Sequence, residues 1–402
     1  MHIAYVTNEF ITEKNFGGLA TYLDNITNIM RANGHRVTVI TLSDKSQTIQ
    51  YQNDITVMRV ETKTNNKSLS DFAQALMQYE NSWRIYKDLR ELHSRERVDI
   101  VQTANYKAVG VVRNFNIPTV VRASSDSAFW RNANNVTFNI DSTMTEKKLV
   151  DRLELLSIKR ADSAFAPSKC CADILEKRSG KAVKIIESPY KSQRILTDDS
   201  IYKEKLYNKK YLLFNSSLSM LKGTHLGIRA TDEIMKKYPE LHMVYAGIDY
   251  GLTGSKKSIA EILEEQNRQY QGRVIYLHKL THEQLFPIIT HSYACILPSR
   301  IDNLPNSCIE DMALGKIVIG TYGASFEQLI KNKKNGLLIK RDSKNALIKA
   351  IDYLMNMTEE EYIRMGEAAQ KTVERLSPDL VYKKMIAYYN NVIEAFNAKR
   401  KE

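Results

Sequence analysis

Two successive series of short apolar segments alternating with helix-spaced ones constrain this chain more than any other feature. IAYVT (3–7) is followed by LATYLDNITNIMRANG (19–34), in which Leu19, Tyr22, Leu23, Ile26 and Ile29 share one helical face and Gly34 ends the run; RVTVIT (36–41) comes next. A strand, a crossover helix and a second strand pair in parallel, and a parallel sheet must be covered on both faces. The chain is therefore α/β. VDIVQT (98–103), TVVRAS (119–124), SAFAPS (163–168) and VKIIES (183–188) extend the first series. After a polar stretch, 191–210, a second begins: YLLFNS (211–216), HMVYAG (242–247), RVIYLH (273–278), ACILPS (294–299), KIVIGT (316–321) and GLLI (336–339). The expectation is two Rossmann-like domains, 1–200 and 201–379, with a helical tail over about 380–402 packing back on the first. The length of 402 residues fits that division.

Composition removes several alternatives. The chain is 43% hydrophobic and lacks any apolar run near the ~20 residues that cross a bilayer. Met1 leads directly into HIAYVTN without a signal-peptide pattern, so a cytoplasmic protein is expected. Among four cysteines, Cys170 and Cys171 are adjacent, while Cys295 and Cys308 sit in apolar stretches, as reduced structural thiols would. His278 and His282 have no acidic ligand cluster beside them and read as a solvent-exposed pair; no metal site is expected. The formal net charge is +12, and residues 101–195 hold the densest excess, 16 Lys+Arg against 9 Asp+Glu. Such a run is either a solvated helix face or an attraction for phosphates, whether of a nucleotide or of an anionic membrane. No nucleic-acid recognition module accompanies it, so nucleic acid is not an expected partner.

Ligands of open parallel sheets bind beyond the carboxyl ends of the strands. Three such places stand out. Gly17 and Gly18, in NFGGLATYL, precede a helix; paired glycines let backbone amides approach an anion, although an ordinary turn has the same pattern. Lys222 and Gly223, in FNSSLSMLKG, follow a strand beside Ser216, Ser217 and Ser219, where a cation can neutralise a diphosphate. In PSRIDNLPNSCIEDMALGKIVIGT, a loop carrying Asp302 leads to a helix beginning near Asn306 and carrying Glu310. A carboxylate there can accept two hydroxyl hydrogen bonds, while the backbone from Asn303 through Leu304, Pro305 and Asn306 faces a phosphate or sugar.

The last block resembles the Glu-x7-Glu motif of the retaining nucleotide-sugar glycosyltransferases of the GT-B fold, family four (glycosyl transferases group 1), with Asp302 in place of the first Glu and Glu310 as the second. The resemblance also takes in GGLATYLDNI, GHRVTVIT, RADSAFAPS, SLSMLKG and YGASFEQL, and so runs along nearly the whole chain. It implies two Rossmann-like domains facing each other across a cleft, the second holding a nucleotide diphosphate sugar, with a UDP-sugar as the leading expectation. It further implies Glu310 on the ribose hydroxyls, Asp302 on the donor sugar, Lys222 and Ser217 at the diphosphate, the Gly17–Gly18 loop over the phosphates, and Glu327 as a secondary acidic position. The sugar is a substrate; no cofactor and no metal are expected.

Two departures matter. Ser217 stands where relatives commonly have Arg, and Ser124 and the Gln102–Asn105 segment stand where many have His, so Asn105, Arg122 and Asp126 become the acceptor-side candidates. The implied acceptor is a saccharide or lipid-linked saccharide of bacterial surface polysaccharide or glycoconjugate synthesis. That would put the enzyme at the inner face of a membrane. The alternative is a non-catalytic GT-B subunit that binds or stabilises a partner glycosyltransferase.

Overall fold

The computed structural model describes residues 1–13, 17–52, 54–62, 69–136, 148–191 and 197–401. The chain forms two compact units: Met1–Phe129, Thr143–Lys191 and Leu376–Glu402 make unit 1, and Trp130–Ser142 with Ser192–Arg375 make unit 2. The expected division at 200/201 therefore moves to 191/192, because the connector is not a bare linker. Its helix Ser200–Lys205 packs on the helix His282–His291, with Tyr202 stacked on His291 at 4.1 Å. Trp130–Ser142 also counts with unit 2, where the Arg300 guanidinium donates to the carbonyls of Ala133 at 3.1 Å and Asn135 at 2.5 Å.

Unit 1 contains β1 (His2–Thr7), β2 (Arg36–Ser43), β3 (Gln47–Tyr51), β4 (Ile55–Glu61), β5 (Ile100–Ala104), β6 (Thr119–Arg122), β7 (Ser163–Ala166) and β8 (Val183–Ile185). Their order is β3-β4-β2-β1-β5-β6-β7-β8, parallel throughout except for β3 against β4. That hairpin was not legible as strands. Its edge strand, QTIQY, alternates polar groups and stays largely exposed, so it lacks the apolar run that marks the others. Central β1 is buried at all six residues, as a strand covered on both faces must be.

The helices Gly18–Ala32 and Pro378–Lys399 cover one face, where Ile3, Tyr5, Val120 and Phe165 meet Tyr22, Ile26, Met385 and Tyr389. On the other face, Ile85 and Leu89 of the helix Asp71–Arg95 cover Ala4, Val6 and Val101. Leu155 and Ile158 of the helix Leu149–Arg160 lie on the same side over Val121 and Ala164. The C-terminal helix starts with Pro378, which fits a first helical position because no amide is needed there.

Unit 2 contains β9 (Lys210–Asn215), β10 (Leu241–Ala246), β11 (Val274–Tyr276), β12 (Ala294–Ile296), β13 (Val318–Thr321) and β14 (Leu337–Ile339), all parallel in the order β11-β10-β9-β12-β13-β14. This is the doubly wound Rossmann order. Its core joins Leu212, Phe214, Met243 and Ile296 of the sheet to Leu226, Ala230 and Ile351 of the covering helices. All four cysteines are free thiols, three of them buried.

The C-terminal helix is held to unit 1 by a buried hydroxyl as well as by apolar packing. Tyr389, fully buried, donates to Gln102 Oε1 at 2.6 Å. Tyr389→Phe is expected to cost about 1 kcal/mol through the lost hydrogen bond. Tyr389→Ala should cost about 3–5 kcal/mol, since a cavity is added. Urea unfolding checks both, and an Ala variant as stable as the parent would contradict a structural role for this helix.

Candidate functional site

The order of the unit 2 sheet turns back between β9 and β12, so the loops leaving the carboxyl ends of these two neighbours lie side by side. The first, Ser216–Gly223, enters the helix Thr224–Lys237; the second, Leu297–Pro305, enters the helix Asn306–Ala313. Their approach is close enough to require glycine. Gly223 has φ +72°, and a Cβ on it would lie 2.0 Å from the Pro298 carbonyl oxygen. The Arg300 amide donates to the Leu221 carbonyl at 2.8 Å and ties the loops a second time. Ser219 folds the first loop on itself: its Oγ accepts from the Lys222 amide at 3.2 Å, and its amide donates to Thr224 Oγ1 at 3.0 Å.

This juxtaposition brings together two of the expected site residues. Lys222 Nζ lies 2.5 Å from Asp302 Oδ2, with a quarter of the lysine side chain exposed. Asp302 is itself fixed: Ser299 Oγ donates to Oδ2 at 3.3 Å, the Asn303 amide donates to Oδ1 at 2.9 Å, and Ser325 Oγ donates to the Asp302 carbonyl at 2.7 Å. The pair is accessible enough for an incoming anion to compete for the ammonium. Ser217 lines a 500 Å³ pocket beside the same loop with Ser219, Leu221, Tyr250 and Asn134.

Beyond Asn303 and the buried Leu304, Pro305 is the N-cap of the helix that starts at Asn306, and there is no side-chain cap hydrogen bond among the described residues. The positive end of the helix is thus open to a ligand. One turn in, Glu310 is half-buried, and its carboxylate has no hydrogen-bond or ion-pair partner among the described residues. Burial raises its pKa above the ordinary carboxylate value, partly offset by the charge of His282. A desolvated carboxylate without internal donors is suited to accept hydroxyls from outside.

The neighbouring Asp311, which sequence reasoning did not single out, is a different case. It is fully buried, and burial holds its carboxyl far above the usual range. Asn215 Nδ2 donates to Asp311 Oδ1 at 2.6 Å and the Cys295 thiol also meets the carboxyl, while among the described residues Asp311 Oδ2 and Asn215 Oδ1 have no hydrogen-bond partner. A proton on the carboxyl resolves both orphans as an acid–amide pair that ties the end of β9 to the helix of Glu310. A buried network is also new. Asp342 Oδ1 accepts from Arg300 Nε at 2.9 Å and meets His225 Nε2 at 3.0 Å, and Arg341 Nε donates to the Arg300 carbonyl at 2.7 Å. It joins the loops after β9, β12 and β14; charged residues just past strand ends were the available signal. Glu327 is exposed in the loop after β13 and accepts from the Gly323 amide.

In unit 1, Gly17 is the N-cap of its helix and Gly18 the first helical residue; residues 14–16 of the glycine loop lie outside the described residues. The Ala20 amide in the first turn donates to Glu9 Oε1 at 3.3 Å, so an internal carboxylate sits at this helix end. The acceptor-side candidates are all buried and engaged. Asn105 donates through Nδ2 to the Ser125 carbonyl at 2.5 Å and accepts from the Ser124 amide at 3.0 Å. Arg122 lies 3.8 Å over the Tyr22 ring and donates to Ser188 Oγ at 3.1 Å. Asp126 caps Phe129 at 2.8 Å and pairs with Arg178 at 2.8 Å. Among the described residues no cluster of three or more His, Cys, Asp or Glu could hold a metal.

Known proteins resemble this chain in sequence and in fold. Residues 198–372 match the family model of the glycosyl transferases group 1, and residues 17–190 match that of the glycosyl transferase 4-like domain. A putative glycosyltransferase of Bacillus subtilis, YtcC, is 26% identical over 180 residues, 44% of this chain and 44% of its own. A D-inositol 3-phosphate glycosyltransferase of Corynebacterium urealyticum is 24% identical over 185 residues, 46% of this chain and 43% of its own. The chain thus matches less than half the length of these relatives. Among solved structures, a Thermosynechococcus elongatus sucrose-phosphate synthase superposes with a TM-score of 0.76 at 16% identity, covering 98% of this chain and 99% of that one. Anabaena HepE in complex with UDP has a TM-score of 0.71 at 16% identity, covering 97% and 100%. These likenesses identify the fold as GT-B.

A neutral Asp311 has a measurable consequence. Its folded pKa is raised, so above the unfolded value of about 4 the unfolded chain ionises while the folded one stays protonated. The folded state then holds the extra proton, and stability falls as pH rises from there to the raised folded value. Asp311→Asn removes that loss and supplies a donor to Asn215 Oδ1. The variant is expected to melt about 2–4 °C above the parent at pH 7, the gap closing toward pH ~4. A variant melting below the parent at pH 7 would contradict the acid–amide pair.

Proposed function

Because this chain belongs to the glycosyl transferases group 1, with the GT-B fold, we propose that it moves a sugar from a nucleotide diphosphate sugar to an acceptor hydroxyl. The observation that most supports this is the Glu310 carboxylate, without a partner among the described residues and on the same strand-loop-helix as Asp302 and its ion pair with Lys222. In this reading Glu310 accepts the two ribose hydroxyls. Asp302 engages the donor sugar, and the backbone from Asn303 to Asn306 faces the diphosphate together with Ser217. Lys222 leaves Asp302 for the diphosphate, where its ammonium and the open helix end stabilise the charge that builds as the anomeric bond breaks. That positive potential comes from the chain itself, the basis for reading the reaction as metal-independent.

Transfer proceeds with retention at one face of the sugar. The acceptor oxygen bonds to the anomeric carbon as the bond to the phosphate oxygen breaks, and the hydroxyl proton passes to the departing diphosphate. No protein nucleophile is required. UDP is the preferred base carrier in this reading, by analogy with HepE, whose structures hold UDP and UDP-glucose. Gly17 and Gly18 close on the phosphates, Glu327 is a secondary donor contact, and Asn105, Arg122 and Asp126 shape the acceptor-side loops through the partners they already have. The acceptor is a saccharide or lipid-linked saccharide of bacterial surface glycan synthesis, at an anionic membrane face suited to a chain of net charge +12. Among the described residues no helix is long and apolar enough to cross a membrane.

Two variants test the donor site. Glu310→Gln is expected to weaken UDP-sugar binding about 10- to 100-fold by titration calorimetry, the worth of hydrogen bonds to a charged group, with the melting temperature retained. In the parent, affinity should rise with pH through the raised Glu310 pKa, since only the ionised carboxyl accepts from both hydroxyls; in the variant it should be flat. Lys222→Met should lower turnover about 10²–10³-fold, and chelators should leave the parent's turnover unchanged. Binding by Glu310→Gln equal to the parent's would overturn the assignment.

A further inference from the structure

The helix Asp71–Arg95 turns an unusual side to solvent. Its inner face, including Ala75, Ile85 and Leu89, is buried against unit 1. On the outer face Phe72, Leu76, Tyr79 and Trp83 are 68, 48, 45 and 44% exposed. Their spacing of four, three and four residues makes one continuous stripe. Lys87 and Arg90, the next positions at that spacing, are exposed, and the Lys87 ammonium sits 3.6 Å over the Trp83 ring. The apolar half of the stripe therefore runs into a basic half. Beside it, Asp88 is partly buried and Glu91 is paired with Arg95.

The adjacent helix Leu149–Arg160 sorts its charges in the same sense. The two helices cover the same side of the sheet and begin together, the Leu149 amide donating to Asp71 Oδ2 at 2.9 Å. Both carboxylates of the second helix point inward: Asp151 and Glu154 are each 3% exposed, and Glu154 is spent on the Lys107 amide and Ser127 hydroxyl. Its exposed residues are Arg152, Leu156, Lys159 and Arg160, three cations around an apolar side chain. A solvated helix face ordinarily mixes both signs, whereas this one presents only cations and leucine.

We propose that these two helices are the surface by which the protein docks on an anionic lipid bilayer, the aromatic stripe entering the headgroup layer and the flanking cations meeting lipid phosphates. Trp and Tyr favour that layer, and a helix with apolar and basic residues on one side lies in its plane instead of crossing it. A second copy of the chain is the weaker occupant. The four apolar side chains expose on the order of 400 Å², about half of what each partner of a stable dimer contributes, and apposing two cationic faces would bring like charges together. The docking face rests on the proposed transfer reaction only for its purpose, an acceptor held at a membrane.

Vesicle sedimentation tests it without any donor present. The full chain should bind vesicles containing about a third phosphatidylglycerol, bind pure phosphatidylcholine at least tenfold more weakly, and lose most of the anionic binding when salt rises from 0.05 to 0.5 M. With Trp130→Phe leaving Trp83 as the sole indole, emission should shift to the blue on anionic vesicles. Leu76→Ser with Trp83→Ser, and separately Arg152→Glu with Lys159→Glu, should each weaken binding at least tenfold while melting temperature and UDP-sugar thermal shift stay at parental values. Absence of binding at low salt, binding undiminished in both double variants, or a parental dimer that the Leu76→Ser, Trp83→Ser protein disperses would each overturn the docking surface. Since donor binding is read on the same samples, loss of one leaves the other standing.

Discussion

The close approach of two loops, at the point where the unit 2 sheet turns back, is the constraint on which the candidate site depends. A parallel sheet delivers its loops at the carboxyl ends of strands, and neighbours β9 and β12 deliver theirs together. What the topology proposes, a single residue permits: a side chain on Gly223 would overlap the Pro298 carbonyl. With the loops in contact, the ammonium of one reaches the carboxylate of the other, although Lys222 and Asp302 are eighty residues apart. The network of Arg300, Asp342 and His225 adds the loop after β14, so that the wall around Lys222 is held from three sides.

Two adjacent carboxyl groups on one short helix show how environment divides labour. Glu310 is half-buried with no hydrogen-bond or ion-pair partner among the described residues, whereas Asp311 is fully buried and bound to Asn215. Burial raises the pKa of both, but the consequences differ. An acid that pairs with an amide when neutral serves the scaffold, while a carboxylate without internal donors remains free to serve a ligand. The pair also explains why β9, whose last residue is Asn215, is anchored where its loop begins.

Much of this is legible in the amino-acid sequence. Twelve of the fourteen strands coincide with apolar runs bounded by polar or glycine residues, and the motif around Asp302 and Glu310 announced a strand, a polar loop and a helix. Lys222 and Gly223 stood out because a cation and a glycine follow a strand. β3 escaped because an exposed edge strand needs no apolar run, β4 because it buries Ile55, Val57 and Val60 between less buried residues and so lacks a continuous one, and Asp311 because adjacency in sequence says nothing of which side of a helix is buried. The acceptor-side candidates, Asn105, Arg122 and Asp126, are the polar residues nearest the positions where the family commonly has His; their internal partners are tertiary facts that no local pattern encodes. The outer stripe of the helix Asp71–Arg95 was hidden for the converse reason: apolar residues at helical spacing read as core until burial shows which face is which.

The function of the chain turns on where a nucleotide sugar is held. A crystal structure of the protein with UDP-glucose tests this most directly. Both ribose hydroxyls are expected within hydrogen-bond distance of the Glu310 carboxylate and the diphosphate within reach of Lys222 Nζ, with the ion pair to Asp302 opened. Nucleotide density away from these two side chains, with the Lys222–Asp302 pair still closed, would contradict it.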